Sequence, residues 1–521
     1  MGMASIDGVF DGSGEALEAQ QWHLHANGVN VPPYGLNFEH TGRGIRVALL
    51  DTAIQIHHPD LWGLNLNDPN DGGRIATYAN FLSGISDPSP DPASTTAWHG
   101  TAVAGLIASA ARGPTYENGG GRGVAPLAEL IAFRVVPDEG LETTNSLAQA
   151  LDTAVVDHGA RVVNNSWTHQ VSTSLTDSDV SWREEVEATA ALAKAPVIVF
   201  AAGNCGTLRR PDCPLDVSLS SWDTFTNSRH VIAVGASDDS GQALAYSEPG
   251  ANVLVSAPGG SPGAGLVTTD MVGTGGANPD GDYMGGDTGV TGFVGTSGSA
   301  AVTSGVAALM LQANAELGAR EVAWILADTA QPMSCEAGAC AGWLAPQSAA
   351  MGSGQYSHRF GFGRVDATAA VAKATDFVPF GPEKICTSGL LVPGFAPQFS
   401  LQIPQNDGAI SRSYRFDASQ CPSVVERVEL FFKATPERPN DALIYSGDLH
   451  VRLTSPLGRV SELTRPHACG RACGDIRSGF TFSSVRHMGE SPVGLWTIEV
   501  SDELALTRSL FDSWEVKIYG H

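Results

Sequence analysis

Three short motifs in the chain contain an aspartate, a histidine and a serine, residue types that act together in nucleophilic catalysis. VALLDTAIQIHHPDL places Asp51 after an apolar run, WHGTAVAGLIASAA places His99 before small residues, and GTSGSAAVTSGVAALMLQA does the same for Ser297. A serine hydroxyl is a poor nucleophile at neutral pH, so a histidine must accept its proton and a carboxylate must orient the imidazole. The sequence therefore predicts that these three residues form a catalytic triad.

A fourth residue, Asn204, fits the same site. It ends the motif PVIVFAAGN, and its side-chain amide is suited to donate a hydrogen bond to an oxyanion. Taken alone, each motif has a structural alternative: Asp51 as a helix cap, His99 as a buried structural histidine, and GTSG as a turn. The chain order Asp, His, Ser together with Asn204 favours the catalytic interpretation.

The pattern around these residues predicts an α/β domain. From Gly44 to about Phe377, short apolar runs alternate with helical patterns such as Asn145 to His158, which indicates a parallel sheet covered by helices on both faces. Sites in such sheets form at the carboxyl ends of the strands, where Asp51 lies. The predicted buried strands are IRVALLD, LAELIAFRVV, RVVNNSW, PVIVFAAGN, HVIAVGAS and ANVLVSAPG.

The pattern changes near Phe380, where a second domain is predicted. Short strands with alternating polarity follow, separated by turn residues, and they indicate a β-sandwich. We therefore expect the α/β domain at residues 15–378 and the β-sandwich at residues 379–521. The predicted sandwich strands are SYRFDAS, RVELFFKA, DLHVRLTS, FTFSSVR, LWTIEVSD and WEVKIYG.

Composition excludes several classes of partner. The 521 residues include 30 basic and 55 acidic side chains, a net charge of −25, which disfavours nucleic acid or an anionic membrane as partner. No apolar run reaches membrane-spanning length. The first residues, MGMASIDGVFDGSG, lack a signal-peptide pattern, so export cannot be inferred from a signal peptide.

The eight cysteines favour disulfides and an oxidising compartment, so we expect a secreted or periplasmic protein. Zinc is the alternative, but no pair has a second pair or a histidine at the usual ligand spacing. The spacing leaves the connectivity open. The candidate pairs are Cys205 with Cys213, Cys335 with Cys340, Cys469 with Cys473, and Cys386 with Cys421.

The motifs of the first domain resemble those of subtilases, most closely the kexin/furin branch. The resemblance lies in QQWHL, NNSW, DTFTNS, AYSE and FGFGRVDA. In the second domain, GDLHVRLTSPLGRVSEL and FTFSSVRHMGESPVGLWTIEV resemble the P-domain of that branch. This resemblance implies a serine endopeptidase in which Ser297 attacks the peptide carbonyl, His99 serves as base and then acid, and Asp51 orients His99.

The resemblance also implies a substrate site. The strand around Ser166 and Trp167 is expected to pair with an extended substrate by β-addition. Asp223 falls at the position of an acidic residue in the first specificity pocket, which implies cleavage after Arg or Lys through a charge-assisted pair. The alternative is that Asp223 is a turn or capping carboxylate.

Other positions depart from the family pattern. Thr52, Thr96 and Val171 stand where the family places acids that read further basic residues, so we expect cleavage after a single Arg or Lys. The remaining departures lie next to the aspartate and the serine of the triad, and they are Ala53, Gly298 and Ala301.

The resemblance finally implies structural calcium and particular partners. The expected ligands are Asp60 and Glu15 in one site and Asp212 and Glu248 in another, since oxygen-rich sites suit calcium. The expected partners are protein or peptide substrates and either a removed propeptide or a separate folding chaperone. The alternative from another class is a catalytically inactive binding protein or adhesin. A missing triad residue would indicate such a protein, and none is missing.

Overall fold

The computed structural model describes most of the chain in two packed domains. No helix among the described residues is long and apolar enough to cross a membrane. The described residues are 17–31, 40–61, 74–82, 87–91, 94–110, 121–137, 144–168, 180–206, 213, 218–335, 347–394, 400–405, 408–419, 421–437, 446–466, 476–503 and 508–521.

A mainly parallel sheet forms the centre of the first domain. Its strand order is β11-β7-β6-β5-β4-β1-β3-β2, and β8 also pairs with β6. The central strands are almost wholly apolar because helices cover both faces, which confirms the predicted fold class. The strands are β1 Arg46–Asp51, β2 Ile75–Asn80, β3 Glu129–Arg134, β4 Val162–Asn165, β5 Val197–Ala201, β6 Val231–Ser237, β7 Gln242–Ala243, β8 Val253–Pro258 and β11 Ser334–Cys335.

Helices and small hairpins complete this domain. A single π-helical turn, Thr153–Asp157, continues the second helix, so the helix predicted from Asn145 to His158 is regular only in its first half. The helices are α1 His99–Ala108, α2 Thr144–Asp152, α3 Val180–Ala190, α4 Thr296–Ala313, α5 Ala319–Thr329 and α6 Ala367–Thr375. The hairpin strands are β9 Thr268–Thr269, β10 Tyr283–Met284, β12 Gln347–Ser348 and β13 Gln355–Tyr356.

Two antiparallel sheets form the second domain, as the alternating pattern predicts. One has the order β14-β22-β17-β20 with β15 added to β22, and the other has the order β16-β21-β18-β19. Alternate residues of both sheets face a shared core that contains Trp496 and Trp514. The strands are β14 Lys384–Thr387, β15 Leu401–Gln402, β16 Ala409–Phe416, β17 Val425–Pro436, β18 Leu449–Thr454, β19 Val460–Thr464, β20 Phe480–Ser484, β21 Gly494–Asp502 and β22 Ser509–Gly520.

The two domains share a buried interface. Leu219 and Trp222 of the first domain belong to the apolar core of the sandwich. Asn227 Nδ2 donates to the carbonyl of Thr481 at 2.6 Å, and the amide of Ser483 donates back to Asn227 Oδ1 at 2.9 Å. The sandwich therefore packs directly on the segment that carries Asp223.

Disulfides link cysteines in both domains. Cys205 is bonded to Cys213 and Cys386 to Cys421, two of the expected pairs. Cys335 is also disulfide-bonded. Cys340, Cys469 and Cys473 lie outside the described residues.

Candidate active site

An aspartate–histidine pair lies at the carboxyl end of the sheet. Asp51, the last residue of β1, is fully buried, and its Oδ1 accepts a hydrogen bond from Nδ1 of His99 at 2.7 Å. The same oxygen accepts from the amide of Thr52 at 2.7 Å. Burial opposes protonation of the ring, but the charge and hydrogen bond of Asp51 outweigh it and raise the pKa of His99. Asp51 therefore fixes the ring with Nδ1 protonated, which leaves Nε2 as the proton acceptor.

Ser297 lies in the first turn of α4, and its hydroxyl is held by a neighbouring strand end. Its Oγ donates to the carbonyl of Ser166 at 2.7 Å, and Ser166 Oγ donates to the carbonyl of Ser297 at 2.8 Å. Within the described residues, Ser297 Oγ makes no hydrogen bond to His99. A rotation of the serine side chain away from Ser166 is therefore needed before its proton can pass to the histidine.

An aromatic contact joins the histidine to the start of α4. The Phe293 ring centroid is 5.4 Å from that of His99 and 5.9 Å from that of Trp98. Phe293 precedes Ser297 by four residues and is almost fully buried. It therefore fixes the position of the His99 ring relative to the segment that carries the nucleophile candidate.

Asn204 is oriented toward the same segment. Its Oδ1 accepts from the amide of Thr296 at 2.9 Å and from Thr296 Oγ1 at 3.0 Å. Its Nδ2 would be 3.4 Å from a Cβ at Gly295, so the donor end of the amide lies beside the residue two before Ser297. Gly295 has a φ of +144°, a backbone conformation that requires glycine here.

A pair of buried carboxylates lies behind Asn204. Glu248 lies against Gly203, where a Cβ would be 2.4 Å from its carboxylate. Burial raises the pKa of Glu248 to about 8, and the charge of Asp223 acts in the same direction. Hydrogen bonds from the amide of Cys205 and from Ser218 Oγ act in the opposite direction, because they favour the charged form. The structure thus brings Asp223 and Glu248 together next to the oxyanion candidate.

The carboxylate of Asp223 also stabilises a turn of the backbone. Its Oδ1 accepts from the amide of Phe225 at 2.8 Å, and it is only 3% exposed. This is the turn that the sequence leaves open as the alternative role. The turn uses one acceptor site of the carboxylate, so it does not exclude a second partner for the side chain.

The side chain of Trp167 belongs to the hydrophobic core. Its Nε1 donates to the carbonyl of Leu50 at 2.7 Å, and its ring packs against Trp182, Phe200 and Phe225. Any contact of Trp167 with an extended substrate therefore involves its backbone.

Comparison with known proteins identifies the family. A model of the subtilase family matches residues 42–363, more than half of the chain. The chain belongs to the subtilase family. A second family model, the proprotein convertase P-domain, matches residues 442–518, so the β-sandwich of this subtilase is a P-domain.

Curated relatives of this subtilase are named as furin and kexin-like proteases. Furin-like protease 2 of Drosophila melanogaster is 26% identical over 97% of this chain and 28% of that protein. Furin of Bos taurus is 26% identical over 93% of this chain and 54% of that protein. The dibasic-processing endoprotease of Schizosaccharomyces pombe is 26% identical over 98% of this chain and 66% of that protein. The chain therefore spans between 28% and 66% of these relatives' lengths.

Solved structures share the fold of this subtilase across both domains. The serine protease of Aeromonas sobria superposes with a TM-score of 0.78 at 22% identity, over 97% of this chain and 96% of that one. The same protease in complex with a chaperone gives a TM-score of 0.76 at 22% identity, over 97% of this chain and 95% of that one.

The expected calcium ligands are dispersed in the described part of the subtilase. Asp60 is fully buried, its Oδ2 accepts from Tyr283 OH at 2.5 Å, and its amide donates to His58 Nδ1 at 3.1 Å. Among the described residues, no group of three or more His, Cys, Asp and Glu side chains is placed to hold a metal. The other two expected ligands, Glu15 and Asp212, lie outside the described residues.

Two departures of the subtilase from the family pattern have structural reasons. Thr52 donates to Asp51 Oδ1 at 3.2 Å and accepts from the amide of Gly100 at 3.0 Å, so it supports the carboxylate. A Cβ at Gly298 would be 2.7 Å from Leu266 Cδ1 and 3.2 Å from Phe293 Cδ1, so a larger residue after Ser297 would force these buried side chains to shift. No motif indicates these partners, because Leu266 is distant in the sequence.

Proposed function

We propose that this subtilase is a serine endopeptidase with Ser297, His99 and Asp51 as its triad. The observation that carries the proposal is the 2.7 Å bond from His99 Nδ1 to the buried Asp51 carboxylate. A buried carboxylate in this position holds the imidazole in the tautomer whose Nε2 accepts the serine proton. The family membership and the names of the relatives agree with this reaction.

In the proposed reaction, Ser297 Oγ leaves the carbonyl of Ser166, transfers its proton to His99 and attacks the scissile carbonyl carbon. The charge that develops on the carbonyl oxygen is stabilised by Asn204 Nδ2 and by a backbone N–H at the start of α4. His99 then returns the proton to the leaving amine, and water repeats the sequence on the acyl-enzyme. The Asp51 carboxylate stabilises the imidazolium that forms.

Substitution of the serine tests this proposal. Ser297→Ala is expected to fold and to lose nearly all peptide hydrolysis, because the nucleophile is gone. Ser299→Ala is a matched control in the same helix, since Ser299 Oγ donates to the carbonyl of Ala257 at 2.9 Å and has no role in the reaction. Equal turnover by wild type and Ser297→Ala would contradict the proposal.

The catalytically inactive binding protein is the second candidate. One observation favours it: Ser297 Oγ is bonded to a backbone carbonyl instead of to His99. The same activity assay separates the two, because an inactive binding protein shows no hydrolysis that depends on Ser297.

We further propose cleavage after a single Arg or Lys, with Asp223 as the acid of the first pocket. The burial of Asp223 supports this role, because a carboxylate in a water-poor pocket gains from pairing with a cation. Thr52 is hydrogen-bonded to Asp51 and to Gly100. This supports a substrate site that does not require a second basic residue.

Structural calcium is proposed at Asp60 with Glu15 and at Glu248 with Asp212. A bound cation would relieve the cost of burying the Glu248 carboxylate, which accepts hydrogen bonds from the amide of Cys205 at 3.0 Å and from Ser218 Oγ at 3.0 Å. The described surroundings of Asp60 include Tyr283 as a donor, and no group of three or more His, Cys, Asp and Glu side chains is placed there among the described residues. Calcium would supply stability here and takes no part in the proton transfers.

The remaining proposals concern location and assembly. We propose a secreted or periplasmic protein, which the disulfides Cys205–Cys213 and Cys386–Cys421 support. We propose protein or peptide substrates, and a folding helper that is either a removed propeptide or a chaperone of the kind solved with the Aeromonas sobria protease. The domain boundary is proposed between residues 378 and 379.

A further inference from the structure

A small cavity lies between the two domains of the subtilase, away from the active site. Its volume is about 50 Å³, which is room for at most a few water molecules. Its charged lining consists of Arg229, Arg320, Arg427, Glu383 and Glu426, together with His230. Its apolar lining includes Val231, Ile232 and Met488.

Two of the three arginines have their own carboxylates. Arg320 Nε and Nη2 donate to Glu426 Oε2 and Oε1 at 2.8 and 2.6 Å. Arg229 Nη1 donates to Glu383 Oε2 at 3.0 Å, and its Nη2 donates to Glu187 Oε2 at 3.2 Å. The positive charges of these two side chains, and the negative charges of the lining glutamates, are therefore already balanced.

Arg427 differs from both. Its guanidinium donates to neutral oxygens only, the carbonyls of Ser228 at 3.4 Å and Val231 at 3.2 Å and the hydroxyl of Ser483 at 3.4 Å. It is 6% exposed, and no described carboxylate lies within ion-pair distance of it. Burial lowers the pKa of Arg427 to about 10, so the side chain is still charged at neutral pH. The charges of Glu429 and Glu383 offset only part of the cost of burying this cation, because neither carboxylate bonds the guanidinium directly.

The start of α5 also borders the cavity, and Glu321 of its first turn offsets part of the positive potential there, because Glu321 Oε2 accepts from the amide of Gly318 at 2.9 Å. Ala319 and Arg320 line the cavity, and they are the first two residues of this eleven-residue helix. The N-terminal end of a helix carries a partial positive charge and amide groups that favour anions. The guanidinium and the helix end come from different domains and reach the same small space.

We infer that the interdomain cavity binds a small monovalent anion of the halide class on the guanidinium of Arg427. The volume excludes polyatomic anions such as citrate, and one guanidinium without a direct ion pair fits one negative charge. The anion is held between β17 of the P-domain and α5 of the α/β domain. Because it binds only while the domains are docked, it stabilises their association.

Thermal unfolding of the full chain tests the inference. The melting temperature is measured in sodium chloride and in sodium gluconate of equal ionic strength, because gluconate is too large for the cavity. We expect a saturable rise of a few degrees with chloride, and with bromide, that gluconate does not give. Equal melting temperatures in chloride and gluconate would overturn the inference.

Substitutions assign the effect to the site. Arg427→Met is expected to abolish the difference between chloride and gluconate. Arg508→Met removes an exposed arginine of the same P-domain, which pairs with Glu437 on the surface, and is expected to keep the difference. A chloride effect that survives Arg427→Met would contradict the assignment.

Crystallography of the wild-type protein keeps the inference testable if Arg427→Met does not fold. Crystals grown in sodium bromide are expected to show an anomalous peak beside the guanidinium of Arg427. Only water at that position, at a bromide concentration that saturates the thermal effect, would overturn it.

Discussion

The indole N–H of Trp222 donates to Oγ1 of Thr464 across the domain interface at 2.9 Å. Trp222 is almost fully buried and belongs to the apolar core of the P-domain, and Asp223 is the next residue in the chain. The carboxylate proposed for the first specificity pocket is therefore positioned by the P-domain as well as by the protease domain.

Loss of this contact should affect both stability and binding of basic substrates. Thr464→Val removes the hydroxyl that accepts from the buried indole N–H, and the loss of such a bond costs about 1–3 kcal/mol of unfolding free energy. We expect a lower melting temperature and a higher KM for substrates with Arg before the scissile bond. Thr497→Val is the control, because the Thr497 hydroxyl bonds Ser413 on the exposed face of the P-domain. Identical effects of the two substitutions would contradict a special role for the interface.

A buried histidine makes the interface sensitive to acid. His358 Nε2 accepts from the backbone amide of Glu462 at 3.0 Å, so a proton on this nitrogen breaks the bond. Burial lowers the pKa of His358 to about 4, against the opposing charge of Glu462. The unfolded chain binds this proton more readily, so stability is full above about pH 6.5 and falls as the pH drops toward 4.

His358→Gln tests this pH dependence, because glutamine keeps an acceptor and does not titrate. The loss of unfolding free energy between pH 6.5 and 4 should be smaller than in wild type by about 3 kcal/mol. Burial also lowers the pKa of His23 and His487, so part of the dependence remains in the variant. Denaturant unfolding at a series of pH values is the measurement. An unchanged pH slope would contradict the role of His358.

Asp223→Asn separates the pocket role of this residue from its turn. Asparagine keeps an oxygen for the amide of Phe225 and removes the charge. We expect kcat/KM for substrates with Arg or Lys before the scissile bond to fall about ten- to a hundredfold, the value of a charge-assisted bond. Apolar substrates should be unaffected.

The control for Asp223→Asn is Asp238→Asn, which changes a half-buried turn aspartate whose Oδ1 accepts from the amides of Ser240 and Gln242. A peptide library scanned at the two residues before the scissile bond gives the specificity. A preference for apolar residues that Asp223→Asn leaves unchanged would refute the assignment.

Gly298→Ala should destabilise this subtilase even though alanine favours helices. The gain in helix propensity is about 1 kcal/mol, whereas overpacking of a dense core costs about 1–3 kcal/mol. The new methyl group meets Leu266 Cδ1 and Phe293 Cδ1. We expect a lower melting temperature, restored in part by adding Leu266→Val, which shortens the obstructing side chain. A melting temperature of Gly298→Ala equal to that of wild type would contradict this packing argument.

The sequence was sufficient to predict the fold and the elements of the candidate site, because local signals carry both. Strand β1 is a run of buried apolar residues, and a charged Asp51 at its end stands out against it. The contacts that tune the site were not predictable, because they join distant residues. Examples are the packing of Gly298 against Leu266 and the hydrogen bond from the Ser297 hydroxyl to the Ser166 carbonyl.

Labelling with a fluorophosphonate is the sharpest test of Ser297 as the nucleophile, because the reagent forms a covalent bond only with an activated serine. We expect one label per folded chain, mapped by peptide mass spectrometry to Ser297. We also expect that His99→Ala strongly slows the labelling, since the proton acceptor is lost. Absence of label on folded wild-type protein, or a label on another serine with Ser297 unmodified, would contradict this role of Ser297.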